Sequence, residues 1–353
     1  MTLDKLTIHQ PDDWHLHIRD GALMKAVLPS TINVFSRAII MPNLDPPIRT
    51  IQEAIAYKKR ILSALSKNNS FTPLMTLYLT NDISTATIEK GFKEGIFHAC
   101  KLYPANATTN SSYGVTDFDA IENVYKIMES IGMPLLIHGE VTDRDVDIFD
   151  REKVFIDRHL SNLLYKHPKL KVVLEHITTE YATEFVQSSN FDLAATITPH
   201  HLHINRNAMF EGGLRSDFYC LPVAKRENNR LALRRAATSG KSCFFLGTDS
   251  APHLRKSKKS SCGCAGIFNS TYALESYTQV FDNENSLTNL EKFASINGPE
   301  FYGLPLNKKH VTLEKKKHKI PEFISLDLED GSQEKLVPFH AGEELSWKIT
   351  KVG

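Results

Sequence analysis

The stretch from Asp117 to His138, DFDAIENVYKIMESIGMPLLIH, holds one complete helix-to-strand passage and sets the reading of the whole chain. Asp117–Ile131 has helical period, with Asp117 where an N-cap belongs and Gly132 just past the end as the C′ residue. Leu135–His138 is a short apolar run of the kind found in parallel sheets covered by helices. The same alternation extends in both directions. Candidate strands are Trp14–Ile18, Ala38–Met41, Leu74–Leu79, Ile96–Leu102, Leu135–His138, Val172–His176, Leu193–Thr198 and Cys243–Gly247. Between them, Thr50–Ser66, Asp117–Ile131, Asp150–Lys166 and Glu227–Thr238 read as amphipathic helices. Eight strand-then-helix units predict a closed (β/α)8 TIM barrel, and the missing G-x-G-x-x-G fingerprint weighs against a dinucleotide-binding sheet. After Gly303 the pattern weakens through Lys315–Lys319 into a polar, Glu-rich tail with some β character. Residues 1–353 are thus expected to form a single domain, about 1–305 the barrel and about 306–353 an extension packed outside it.

Composition narrows the partners. The apolar content of 41% and charged content of 24% are those of a soluble globular protein. Lys+Arg 42 against Asp+Glu 41 leaves no net field for nucleic acid or a membrane surface. Five cysteines, an odd number scattered at Cys100, Cys220, Cys243, Cys262 and Cys264, do not form a disulfide framework and point to a reducing compartment. The N-terminus lacks a signal-peptide pattern, and no run approaches the roughly 20 apolar residues that cross a bilayer. A cytoplasmic, soluble protein is the expectation.

In such a barrel the reactive groups lie at the C-terminal ends of the strands. His15 and His17 close the first candidate strand, Asn43 follows the second, and Lys101 lies in the fourth. His138 ends the fifth, His176 the sixth, and Asp249 follows the eighth. The period of two in His15-Leu16-His17 turns both imidazoles to one face, with Cβ atoms roughly 6–7 Å apart, a span one metal ion bridges. The pair alone is a weak signal; further histidines and an aspartate at other strand ends make a zinc-like set, which Co²⁺ or Mn²⁺ can also occupy. Lys101 by itself reads as an ion-paired or exposed ammonium. Arg19, two residues past His17, shares its face and offers a planar cation to a carboxylate.

Taken in order, several stretches resemble one family. They are Asp12-Asp13-Trp14-His15-Leu16-His17-Ile18-Arg19-Asp20, Met41-Pro42-Asn43-Leu44, Lys101-Leu102-Tyr103-Pro104 and Ile137-His138-Gly139-Glu140. Leu174-Glu175-His176-Ile177-Thr178, Ala195-Thr196-Ile197-Thr198-Pro199, Cys220-Leu221-Pro222 and Gly247-Thr248-Asp249-Ser250-Ala251-Pro252-His253 complete the set. The chain resembles the dihydroorotases of the short, single-function bacterial type, in the amidohydrolase superfamily. The resemblance implies two Zn²⁺ joined by a hydroxide. One is held by His15, His17, Lys101 and Asp249, the other by Lys101, His138 and His176, with Lys101 carbamylated (N6-carboxylysine). It implies reversible hydrolysis of dihydroorotate to N-carbamoyl-aspartate in de novo pyrimidine (UMP) biosynthesis. The bridging hydroxide attacks, and Asp249 serves as general base and then acid. It assigns substrate binding to Arg19, Asn43, His138 and His253 and to the backbone at Leu221 and Ala265. It assigns Thr108 and Thr109 to a flexible loop, Pro104–Tyr113, that closes over substrate, and a homodimer to the assembly.

Two other readings are weighed beside this one. A hydantoinase or allantoinase hydrolyses related rings, but Arg19, Asn43 and His253 argue for a carboxylated substrate. A catalytically dead barrel would be expected to have lost ligands, and here all six expected positions are filled. Other motifs read as bland. His200, His201 and His203 are expected to be solvated or hydrogen-bonded loop residues, and Cys262-Gly263-Cys264 lacks the second pair of a zinc knuckle. Cys220 and Cys243 read as buried and inert, and Arg255–Lys259 as a solvated, mobile connection. His9, His98, His159, His167, His310, His318 and His340 read as surface or satisfied core residues.

Overall fold

The computed structural model describes residues 3–66, 69–261, 263–327 and 331–353. A first strand, β1 (Lys5–His9), precedes the barrel. The barrel strands follow as β2 (Asp13–Leu16), β3 (Arg37–Ile40), β4 (Thr72–Tyr78) and β5 (Ala99–Leu102). They continue as β6 (Leu135–His138), β7 (Val172–Glu175), β8 (Leu193–Ile197) and β9 (Phe244–Leu246). They pair in parallel in chain order, and a parallel bridge between Leu16 and Ser250 brings the last strand back to the first. The expected (β/α)8 barrel is the observed fold, and each expected strand lies within three residues of an observed one.

Alternation along the strands separates two cores. Trp14, Ile39, Leu74, Ala99, Leu136, Val173, Ala194 and Phe245, one from each strand, fill the barrel, and Phe301, Tyr302 and Leu304 pack beneath them. Trp14 stacks on Tyr302 with centroids 4.3 Å apart. The alternate residues, such as Ile40, Cys100, Ile137 and Leu174, pack outward under the helices. In β2 the register slips by one residue between Asp13 and Leu16. This bulge lets Trp14 and His15 both face inward, so that one strand supplies the barrel floor and an imidazole above it.

Helix limits were less legible than strands. Thr50 caps Ile51–Ser63 through a capping box with Glu53. The Asp117 carboxylate instead accepts from Asp119 and Ala120 N–H in a turn, and the helix begins only at Glu122; Gly132 ends it at φ 69° as expected. The stretch expected to run Asp150–Lys166 is helical from Arg151 to Lys166 with a widened turn at Ile156–Leu160.

Both chain ends meet on the barrel's flank. β1 pairs antiparallel with β10 (His310–Lys319), which pairs with the later β13 (Glu344–Val352); β11 (Ile324–Asp327) and β12 (Gln333–Leu336) form a separate ribbon. Lys315–Lys319, where the sequence pattern weakens, is the second half of β10, with much of it exposed because one face of this small sheet meets solvent. Among the described residues no helix is long and apolar enough to cross a membrane.

Candidate active site

The top of the barrel is built from strand ends tied to one another. His15 and His17 flank Leu16 and point inward, their Nε2 atoms 3.1 Å apart. Asp249 follows β9 with φ 46°, and its Oδ1 lies 3.3 Å from His15 Nε2 and 3.2 Å from His17 Nε2. Backbone bonds lock this meeting: Asp249 N–H donates to His15 O (2.9 Å) and His17 N–H to Ser250 O (3.1 Å). Beneath them the Asp13 carboxylate accepts from Thr248 N–H (2.8 Å) and Oγ1 (2.6 Å) and from His15 N–H (3.2 Å). Burial pushes Asp13 up to about 6 against those hydrogen bonds. A side chain on Gly247 would sit 2.7 Å from Thr196 Cβ and 3.2 Å from His15 Cβ, so only glycine lets these strands meet under the histidines.

A second group lies beside the first. Glu175 shares the inward face of Val173 on β7, placing Oε1 2.9 Å from His15 Nδ1 and Oε2 against Lys101 Nζ. His176 follows at φ 43°, which turns its ring in beside its neighbour; its centroid is 4.9 Å from that of His15 and 4.8 Å from that of His138. His176 Nδ1 is buried without a hydrogen-bond partner. His138 Nε2 meets Glu140 Oε2 at 2.9 Å.

Two donor sets therefore converge, His15–His17–Asp249 and His15–Glu175–His176, each within 4.8 Å. His138 joins neither set, and Lys101 Nζ lies against Glu175 of the second.

The charges sort themselves. Burial alone would discharge His15, but the carboxylates of Glu175 and Asp249 raise it to about 9. Burial lowers His17 to about 4 despite its bond to Asp249. Burial would raise Asp249, yet the His15 charge and the bonds from both histidines hold it well below the carboxylate range. Burial lowers the Lys101 ammonium while Glu175 opposes it.

The rim carries the substrate-binding positions expected from sequence. Arg19 has φ 61°; its Nε donates to Pro252 O (3.1 Å) and its Nη2 lies 2.9 Å from His253 Nε2. His253 Nε2 is also 2.9 Å from Ala265 O, and burial followed by the Arg19 charge pushes its pKa down to about 3. Asn43 Oδ1 meets His17 Nδ1 at 2.8 Å, and its Nδ2 donates to Thr109 O (2.9 Å). Thr109 Oγ1 reaches Ala265 O (3.3 Å), and Thr108 N–H bonds Ser111 Oγ (2.9 Å), so the Pro104–Tyr113 loop folds inward over the mouth. Leu221 lies between Cys220 and a cis-linked Pro222 on the neighbouring segment.

Several bland expectations change. His200, His201 and His203 lie on a short helix, Pro199–His203, capped by Thr198, rather than in a loop. His200 and His201 are buried and His203 half-buried, and all three are hydrogen-bonded, one of the two states expected. His201 bonds Thr198 Oγ1 (2.8 Å) and Pro222 O (3.0 Å), and His203 bonds Ser276 O (2.9 Å). His200, His201 and Cys220 converge within 4.8 Å. Both His201 nitrogens are engaged, however, and Asn269 Nδ2 donates to His200 Nδ1, leaving its Nε2 protonated; too few lone pairs remain for an ion. Arg255–Lys258 forms a short helix; Arg255, Lys256 and Lys259 are exposed as expected, but Lys258 is buried. Cys220 is buried as expected, but Cys243 is only half-buried, and Cys262 lies outside the described residues. His98 Nδ1 is buried without a hydrogen-bond partner, but His98 and His318 are both half-buried rather than core residues. Glu175 and Glu140 were not singled out from sequence. Alternation from Val173 and the placement of Glu140 two residues past His138 were the available signals.

A family model described as the amidohydrolase family matches residues 12–316. The dihydroorotase of Synechococcus sp. (strain CC9605) is 61% identical over 346 residues, covering 98% of this chain and 97% of its own length. The crystal structure of dihydroorotase in complex with 5-fluoroorotic acid from Saccharomyces cerevisiae superposes with a TM-score of 0.90 at 34% identity, covering 99% of each chain. That of dihydroorotase from Campylobacter jejuni gives 0.88 at 35% identity, covering 99% of this chain and 98% of that one.

Proposed function

This chain belongs to the amidohydrolase family and, within it, to the dihydroorotases, and on that premise we propose that its barrel mouth interconverts dihydroorotate and N-carbamoyl-aspartate in pyrimidine biosynthesis. The observation that carries the reading is the meeting of His15 Nε2, His17 Nε2 and Asp249 Oδ1 at the strand end that also bears Arg19.

The donor chemistry fits divalent ions. His17 and His138 each have one ring nitrogen on an acceptor, Asn43 or Glu140, and Glu175 pairs with His15 Nδ1, leaving the other nitrogen of each ring to face an ion. His176 adds a buried nitrogen with no partner. His15, His17 and Asp249 hold one zinc in this reading, and His138 and His176 the other. Burial favours the neutral Lys101 amine, which would add to CO₂ with loss of one proton, and as that carbamate Lys101 would help to hold both ions. Bound there, the ions supply Lewis acidity, lowering the pKa of water and polarising the amide carbonyl.

The chain's own groups do the rest. Asp249 takes a proton from the attacking water at Oδ1 and returns it to the leaving ring nitrogen; ring closure runs the same path backwards. Arg19, anchored through Nε on Pro252 O, turns its remaining nitrogens to the substrate carboxylate, with Asn43, His138 and His253 beside it. Backbone groups at Leu221 and Ala265 read the ring amide. The loop with Thr108 and Thr109 excludes water, which strengthens each of these interactions. By family likeness the working form is a cytoplasmic homodimer.

The test is ring opening of dihydroorotate beside hydantoin, with metal analysis of the same sample. Turnover of dihydroorotate with two zinc ions per chain is expected; opening of hydantoin alone contradicts the substrate assignment.

A further inference from the structure

Lys258 is 5% exposed, and among the described residues no ion pair joins its ammonium to a carboxylate; Asp217 acts on it only at longer range. All three of its protons go to backbone carbonyls instead: Nζ donates to Tyr219 O (2.8 Å), Cys264 O (3.0 Å) and Gly266 O (2.7 Å). These carbonyls belong to two chain segments. Tyr219 stands two residues before Leu221, and Cys264 and Gly266 flank Ala265. One cation therefore ties together the two backbones assigned to the ring amide.

The surroundings leave these segments little freedom of their own. Gly266 N–H also donates to Tyr219 O (3.0 Å). Gly266 has φ 145°, and a Cβ there would lie 2.5 Å from Ala251 O and 3.0 Å from His253 Cδ2, so the segment rests directly against the Ala251–His253 turn. At the far end of the other segment, His201 Nε2 bonds Pro222 O (3.0 Å). Three carbonyl oxygens converging on one point repel one another unless a cation sits between them. Burying an ammonium without an anion is costly, and Lys258 is pushed down to about 8, chiefly by burial. An apolar side chain would avoid that cost, but it could not hold the carbonyls at a fixed spacing.

We propose that Lys258 is a positioning residue for substrate: its ammonium sets the spacing of the Leu221 and Ala265 backbones and thereby the recognition of the ring amide. The inference rests on the reading of this mouth as a dihydroorotate site. Lys258→Met and Lys258→Gln, assayed for dihydroorotate opening with KM and kcat separated and zinc counted, test it. Lys258→Met is expected to raise KM about tenfold or more, with kcat within about threefold and zinc content unchanged. Lys258→Gln, which keeps two donors, recovers part of the loss. A KM within about twofold of wild type, or a collapse of kcat and zinc with KM unmoved, overturns the proposal. If neither variant folds, wild-type protein labelled with ¹⁵N-lysine decides. A slowly exchanging ammonium signal that shifts on adding dihydroorotate supports the role, and a signal that does not shift overturns it. Wild-type protein that leaves dihydroorotate unopened sinks the functional reading and this inference together. Wild-type turnover with unmoved KM in Lys258→Met sinks the inference alone.

Discussion

At the mouth of the barrel, the second nitrogen of an imidazole is as well placed as the first. His17 Nδ1 rests on Asn43, His138 Nε2 on Glu140, and His15 Nδ1 pairs with Glu175. Such partners fix tautomer and ring orientation before any ion arrives. The inward histidines and Asp249 were legible because they punctuate strand ends, where sequence and position agree. Glu175 was not, since it reads as the last letter of an apolar run; only its parity with Val173 turns it inward. In the proposed site Arg19 would hold the substrate carboxylate through charge-assisted hydrogen bonds worth about 1.5–3 kcal/mol, so Arg19→Ala is expected to lower kcat/KM for dihydroorotate about 10- to 150-fold. Zinc analysis of that variant should show unchanged metal; a loss of zinc would place Arg19 among the groups that hold the ions.

Short apolar strands carried the fold at the level of elements. Parallel strands covered on both sides must be continuously apolar, and that signal located all eight barrel strands. What escaped were elements whose cause is local or solvent-facing. The register slip in β2 and the left-handed residues His176 and Asp249 decide which side chains turn inward, and no hydrophobic period records them. The helix at Pro199–His203 is too short to show a period, although Thr198 followed by Pro199 is a start signal. β10 hides its strand in a run of lysines because one face of its sheet is wet. The Pro104–Tyr113 loop is held over the mouth by single bonds, among them Thr109 Oγ1 to Ala265 O. Removing a neutral hydrogen bond costs about 0.5–1.5 kcal/mol, so Thr109→Ala should lower kcat/KM about 2- to 10-fold. Steady-state kinetics with zinc content unchanged would check this; an unaltered kcat/KM would show that the bond does not hold the loop for substrate.

The molecule as a whole closes through its ends. β13 packs along the helix Ala273–Asn283, with Trp347 Nε1 donating to Asp282 Oδ2 (3.0 Å) and Ile349 N–H reaching Glu275 Oε1 (3.4 Å). Glu275 is buried at this seam, and burial raises its pKa from 4.5 to about 7. Between those values the folded chain holds a proton that the unfolded chain has released, so stability falls as pH rises from about 4.5 to about 7 and levels off above. The full swing is about 3 kcal/mol. Glu275→Gln removes it, so its unfolding free energy should change less across that window; urea titrations of both proteins at pH 5 and pH 8 check this, and an equal change in unfolding free energy for wild type and variant would show that Glu275 is not the cause. The central claim is that the ions gathered by His15, His17, Lys101, His138, His176 and Asp249 drive the opening of dihydroorotate. Stripping the protein with a chelator and adding back zinc, while following dihydroorotate turnover in wild type and Lys101→Ala, tests it most directly. Wild-type activity is expected to vanish on stripping and to rise until two equivalents per chain are bound, with Lys101→Ala remaining inactive throughout. Full turnover by stripped wild-type protein, or by Lys101→Ala, would contradict it.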